Sequence, residues 1–183
     1  LIMSILIKDY LFDINQIFNL NIAVSLAVIE TLESINIPDL SIKWPNDILS
    51  YNKKIGGILI ENSIKSDGTI LSVVGLGLNV NQTNFDNLPK ASSLAAICER
   101  YFDKEELLIM IVENLENKLK EWNQKAIVFW GNYTDRLFKK GVPMAFSDQN
   151  NQNFMGIIQG VSAIGKLQVL LENEIGRASC RER

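Results

Sequence analysis

The chain of 183 residues contains no histidine. Chemistry that relies on an imidazole base or a histidine metal ligand is therefore excluded within it. Two cysteines, Cys98 and Cys180, are too few for a disulfide framework and have no metal-ligand spacing. That scarcity reads as a protein of a reducing cytoplasm. No stretch reaches the ~18 consecutive apolar residues of a membrane span. Basic residues form no dense tract and the net charge is −3, so a general nucleic-acid surface is not expected. No internal repeat and no low-complexity linker is present. The opening run, Leu1 to Ile7, lacks the basic leader and small-residue cleavage site of a signal peptide. It reads instead as a buried strand, and a chain that opens inside a strand is expected to be part of a longer protein.

What is present is globular: 47% hydrophobic and 21% charged residues. Asn15 to Asn36 reads as a helix apolar on more than one side, ended by Pro38 and Asp39. Ser41 to Trp44 reads as a short strand broken by Pro45. Ile55 to Ile64 and Thr69 to Val80 are β-rich runs joined by a Ser66-Asp67-Gly68 turn. Ser92 or Ser93 is placed to cap a short helix, and Asp103 with Glu106 forms a capping-box pattern opening a long one. That helix carries a stripe of Leu108, Ile111, Leu115, Leu119 and Trp122. A further amphipathic helix is expected from Ala126 to Phe138. Beyond Gly141 come three short strands, Val142 to Phe146, Phe154 to Val161 and Lys166 to Leu171. A unit this small should lean on a larger domain. The expected division is a domain over 1–140, a small β domain over 141–175, and a tail over 176–183 whose texture does not look native.

Three segments carry candidate chemistry. Lys43-Trp44-Pro45-Asn46-Asp47 places an ammonium at the end of a strand, before a proline-stiffened turn that adds an amide and a carboxylate. Its ordinary alternative is a strand turn with a surface lysine. Lys54-Ile55-Gly56-Gly57-Ile58-Leu59-Ile60-Glu61 places paired glycines in a strand, where they weaken it unless a ligand or backbone must come close. A β-bulge is the competing explanation. In Gly75-Leu76-Gly77-Leu78-Asn79 a Gly-x-Gly follows a strand, but the third glycine of a dinucleotide fingerprint falls on Val80 and no helix follows. A flat glycine wall with Asn79 facing a polar ligand is the better reading; tight hairpin packing is the alternative.

In this order the segments resemble the biotin protein ligase family, with its K-W-P-N-D, K-x-x-G-[GA]-I-L-[IV]-E and G-[IL]-G-x-N motifs and an A-[ST]-S-L stretch, here Ala91 to Leu94. The resemblance runs from about Leu1 to Glu174, and the entry at Gly141-Val142-Pro143 is similar to that of the family's small SH3-like domain. It implies an α+β fold: a mixed sheet with helices, class II aminoacyl-tRNA synthetase-like, plus that small barrel. It implies formation of biotinyl-5′-AMP from biotin and ATP, with Mg²⁺, and transfer of biotin to a lysine of a biotin carboxyl carrier protein. Lys43 would be catalytic, stabilising charge between carboxylate and α-phosphate. Gly56, Gly57, Ile58, Gly75, Leu76 and Gly77 would bind biotin and the adenylate, and Asn46 and Asn79 the nucleotide; Asp47 is the motif carboxylate nearest a metal. Trp44 would pack rather than stack on adenine.

The family's glycine- and arginine-rich loop is not found in the chain, so this stretch alone is expected to be inactive or impaired. A homodimer is compatible with the resemblance. The rival readings are a lipoate or octanoate ligase of the same superfamily, and a non-catalytic binding module.

Overall fold

The computed structural model describes residues 1–8, 10–11, 13, 16–148 and 151–171, together with the backbone of Ile175–Arg177 and Arg181–Glu182. Asn15, the expected start of the first helix, lies outside the described residues, as do 178–180 and 183 of the expected tail.

The first sheet has the order β1-β5-β4-β3-β2, built from β1 (Ile2–Lys8), β2 (Leu40–Lys43), β3 (Asp47–Ser50), β4 (Lys53–Ile64) and β5 (Ile70–Leu78). The expectation of a mixed sheet is corrected here: every strand pair is antiparallel. Among the described residues, parallel pairing is confined to the isolated bridges Ile42–Leu137 and Lys54–Ala91. The cause is the connections, since β2 to β5 follow one another by tight turns and a tight turn reverses the strand. β3 is a strand the sequence reading passed over. Its turn into β4 runs through Tyr51 and Asn52 with φ of 48° and 65°, the geometry of a two-residue hairpin usually marked by Asn-Gly.

Helix α1 (Ile17–Ser34) is buried on several sides, from Leu20 through Leu32. It has the length and hydropathy of a membrane span, but 67% of it is buried inside the protein, as a core helix is. It ends in a Schellman motif. Asn36 takes φ 62°, its N–H bonds Glu33 O, and that of Ile37 bonds Leu32 O. A short α2 (Leu94–Cys98) is capped by Ser93, whose hydroxyl accepts the Ala96 N–H. Asp103 caps α3 (Lys104–Asp135) by accepting from Glu105 and Glu106.

α3 is one 32-residue helix, not the two expected. Asn123, Gln124 and Lys125 are polar but helix-compatible, so the buried stripe passes through them: Leu107, Ile111, Leu115, Lys118, Trp122, Phe129, Tyr133. Lys118 is a cation inside that stripe, 6% exposed. Its ammonium meets Glu30 of α1 at 2.6 Å and lies over the Phe129 ring. Removing one member of such a buried pair strands the other. Glu30→Ala is therefore expected to cost about 2–4 kcal/mol, while Lys118→Met, which removes the buried charge itself, costs less. Urea unfolding of both variants measures the difference; equal costs would contradict it.

The second sheet has the order β10-β6-β7-β8-β9, with β6 (Pro143–Ser147), β7 (Asn153–Val161), β8 (Leu167–Leu171), β9 (Ile175–Arg177) and β10 (Arg181–Glu182). Its buried Phe146, Ile158, Val161, Leu167 and Val169 belong to one continuous hydrophobic cluster with α1, α3 and the first sheet. α1 packs on α3, β2 and β4, and the core-facing Met3, Ile7, Ile58, Val74 and Leu76 join the same cluster. The opposite face of the first sheet is bare, with Ile2 89% and Leu59 61% exposed.

Candidate active site

Strand register gathers the motif residues into a line. Lys43 opposes Asp47, Asp47 opposes Gly57, Gly57 opposes Gly77, and Gly77 opposes Ile2. Directly opposed residues share a face of a sheet, so this row crosses all five strands on the bare side. The next row is Ser4, Gly75 and Leu59. Three glycines thus form a floor without side chains between the apolar edge of β1 and the charged end of β3.

The floor lies in a cleft of about 310 Å³ lined by β1 (Ile2, Met3, Ser4), Asn46, Asp47, Lys54, Gly57 to Leu59 and Gly75 to Gly77. Ile58 and Leu76 contribute backbone there, since their side chains are buried in the core. Lys43, Gly56 and Asn79 are not in the lining. Lys43 stands at the β2 end of the first row.

The glycines are glycine for different reasons. A Cβ on Gly56 would sit 3.0 Å from Gly77 O and 3.1 Å from Leu78 Cδ1, so packing explains it. A Cβ on Gly57 would sit 3.4 Å from Asp47 Oδ1 and from Lys54 Cε and Nζ, against the ion pair of the cleft. A Cβ on Gly77 would meet nothing within 4 Å, and its φ is not positive. Neither packing nor conformation requires glycine at 77.

The polar groups are braced. Lys54 Nζ and Asp47 Oδ1 pair at 2.6 Å, a residue combination spread over the β3–β4 hairpin. Asn46 and Ile58 bond reciprocally: the Asn46 amide donates to Ile58 O at 2.6 Å and the Ile58 N–H to Asn46 O at 2.9 Å. Asn46 therefore lines the cleft with its amide already fastening the loop to β4. Asn79 is engaged elsewhere. Its amide donates to Ser92 O at 3.0 Å, and its main chain pairs with Ile55 and Leu94, fastening β5 to the Ala91–Leu94 stretch. Trp44 packs at the edge of the core and donates its indole N–H to Gly165 O at 2.9 Å.

Among the described residues no group of three carboxylate, cysteine or histidine side chains is placed to hold a metal. Asp47, the carboxylate singled out for one, is paired with Lys54. A metal held by protein ligands alone does not fit; Mg²⁺ bound chiefly through a nucleotide's phosphates and waters needs no such cage.

Sequence reasoning passed over Ile2, Met3 and Ser4 of β1, and gave Lys54 and Leu59 no role of their own. The signal available was alternation in β1, which puts Ile2, Ser4 and Leu6 on one face, but only pairing with β5 shows what that face borders.

Residues 1–81, which hold all three glycine and lysine motifs, match the model of the biotin/lipoate A/B protein ligase family. The biotin–[acetyl-CoA-carboxylase] ligase of Mycobacterium tuberculosis is 27% identical over 151 residues, 81% of this chain and 55% of that protein. The bifunctional ligase/repressor BirA of Bacillus spizizenii is 31% identical over 108 residues, 56% of this chain and 33% of its own. The chain thus spans about half the length, or less, of these relatives. The solved biotin protein ligase of Aquifex aeolicus in complex with biotin and ATP superposes with a TM-score of 0.80 at 25% identity, covering 100% of this chain and 78% of that one. Motifs, fold and relatives agree: over residues 1–81 the chain is similar to the biotin/lipoate A/B protein ligase family, and the relatives and solved structures it resembles are biotin protein ligases.

Proposed function

We propose that the protein is an ATP-dependent ligase that joins biotin to AMP and then passes biotin to a lysine of a biotin carboxyl carrier protein. The observation that carries this is the row Lys43–Asp47–Gly57–Gly77–Ile2. It sets a floor on which a flat ring and an alkyl chain can lie, with cations at one end where phosphates would gather.

In the first step a carboxylate oxygen of biotin attacks the α-phosphorus of ATP. The new P–O bond forms as the α–β bridging bond breaks, and pyrophosphate leaves. Negative charge collects at the α-phosphate, and the Lys43 ammonium at the head of the row is the group to stabilise it. In the second step a lysine amine attacks the biotinyl carbonyl and AMP leaves, so the amine loses a proton and no covalent enzyme intermediate forms. Mg²⁺, arriving with the nucleotide, would neutralise the leaving pyrophosphate.

We assign the class II synthetase-like catalytic part to residues 1–140 and the SH3-like unit to the stretch from 141, whose sheet runs past the expected limit at 175 through β9 and β10, so the expected separate tail over 176–183 is corrected there. We place the protein in the cytoplasm, acting on a carboxylase's carrier domain, with homodimer formation compatible and no nucleic-acid or membrane role for this stretch.

Isothermal titration of the complete natural polypeptide with biotin, lipoate and ATP tests the reading, followed by pyrophosphate release with each acid. Biotin should bind and support release. Binding and turnover with lipoate instead would move the protein to the lipoate branch, and ATP binding without either acid would refute the ligase reading.

A further inference from the structure

The residues on either side of Lys43 are fastened to parts of the chain far from the cleft. On one side, the Ile42 N–H donates to Arg136 O at 2.8 Å and the Phe138 N–H to Ile42 O at 2.9 Å. The segment that leaves α3 therefore covers the free edge of β2. That segment is itself anchored, because the Arg136 guanidinium forks onto the Glu33 carboxylate of α1 with two contacts of 3.1 Å. On the other side, the Trp44 indole N–H reaches Gly165 O, 121 positions away, at 2.9 Å.

The acceptor is more constrained than an ordinary turn carbonyl. Gly165 closes the β7–β8 turn, donating to Ser162 O at 2.8 Å, while the Ser162 N–H bonds Lys166 O at 2.8 Å. Its φ is +79°, and an added Cβ would lie 2.3 Å from Phe18 Cδ2. Phe18 is wedged edge-on against Tyr133 of α3, with ring centroids 5.6 Å apart. Only glycine fits there, and α1 and α3 hold the turn from behind. The indole N–H is the single hydrogen-bonding group of tryptophan, so this bond spans the second sheet and the lysine motif through one atom pair.

We infer that Trp44 is a positioning residue for Lys43, and that the β7–β8 turn is the fixed point against which it holds the end of β2. This rests on the reading of Lys43 given above. A lysine side chain has four rotatable bonds, so its ammonium can be held at a phosphate only if its backbone is held first. Trp44 does this with no contact to substrate, as a member of the motif that points away from the cleft lining.

The test is Trp44→Phe in the complete natural polypeptide, which keeps an aromatic ring and deletes the N–H. Three quantities are measured: kcat and KM for biotin in pyrophosphate release, the thermal midpoint, and amide exchange across residues 42–48. The expected result is kcat lower by roughly five- to tenfold, the scale of one net hydrogen bond, with KM for biotin within about twofold and faster exchange at 42–48. A kcat within twofold of the parent together with unchanged exchange overturns the inference. So does a raised KM at constant kcat, which would make Trp44 a substrate contact. If the parent forms no adenylate from biotin, the functional reading fails instead, and the exchange data alone decide the tether: faster exchange supports it and unchanged exchange overturns it.

Discussion

Lys43→Gln is expected to slow formation of biotinyl-adenylate in the complete natural polypeptide by roughly 10²- to 10³-fold, the usual effect of deleting one preorganised charge-stabilising group. Glutamine keeps most of the length and a donor but removes the charge. The change belongs in kcat, because the charge that Lys43 opposes grows as the α-phosphate is attacked and is small while biotin only rests on the floor. Biotin affinity should therefore move by less than about threefold, and the fold should be unaffected at the solvent-facing end of β2. Lys54 is the natural control. It is the cation within the cleft lining, paired with Asp47 at 2.6 Å. Lys54→Gln should cost less in kcat and more in stability, since it leaves Asp47 without its partner. Pre-steady-state pyrophosphate release on both variants separates the two lysines. If Lys54→Gln proves the slower enzyme, the catalytic role passes from position 43 to position 54.

The contrast between those two lysines shows where sequence reading stops. Both stand in motifs, and nothing local distinguishes them. Local chemistry was legible. The Asp67 carboxylate accepts the Thr69 N–H in the β4–β5 turn and Gly68 takes φ +87°, as Ser-Asp-Gly implies. The same holds for the capping Ser93 and Asp103. What was not legible depends on pairing partners distant in sequence. That Gly57 and Gly77 lie side by side is a statement about β4–β5 register, and that Ile2 completes the row one about β1–β5 register. Strand β3 was hidden because Pro45 looks like the end of a sheet, whereas here it sits in the turn between two paired strands. The polar group of Asn79 looked available for a ligand because Ser92, its acceptor, is 13 positions on and invisible to any local pattern. The division of α3 into two helices was a different fault: a separate helix was expected from Ala126, although no glycine or proline breaks the chain at 123–125 and the buried stripe keeps its spacing.

Gly77→Val should separate folding from binding. Nothing lies within 4 Å of the position its Cβ would take, its backbone needs no left-handed φ, and its opposed neighbours are Ile2 and Gly57. A β-branched residue in such a place favours the strand and gains a cross-strand contact with Ile2. The thermal midpoint should stay level or rise. Yet the side chain would stand in the middle of the floor, where an occupant would have to shift or lose contact. Overfilling a packed site costs about 1–3 kcal/mol, so biotin should bind roughly 5- to 150-fold more weakly. Gly56→Ala gives the opposite outcome. Its Cβ would press on Gly77 O at 3.0 Å and Leu78 Cδ1 at 3.1 Å, so stability falls, and the folded fraction still binds because no new atom enters the cleft. Calorimetric titration with biotin, alongside thermal unfolding of the same two samples, reads both axes. A glycine kept for packing loses stability when filled, and one kept for a ligand loses affinity. If Gly77→Val binds biotin within threefold of the parent, biotin does not lie on this sheet, and the glycine at 77 needs another explanation.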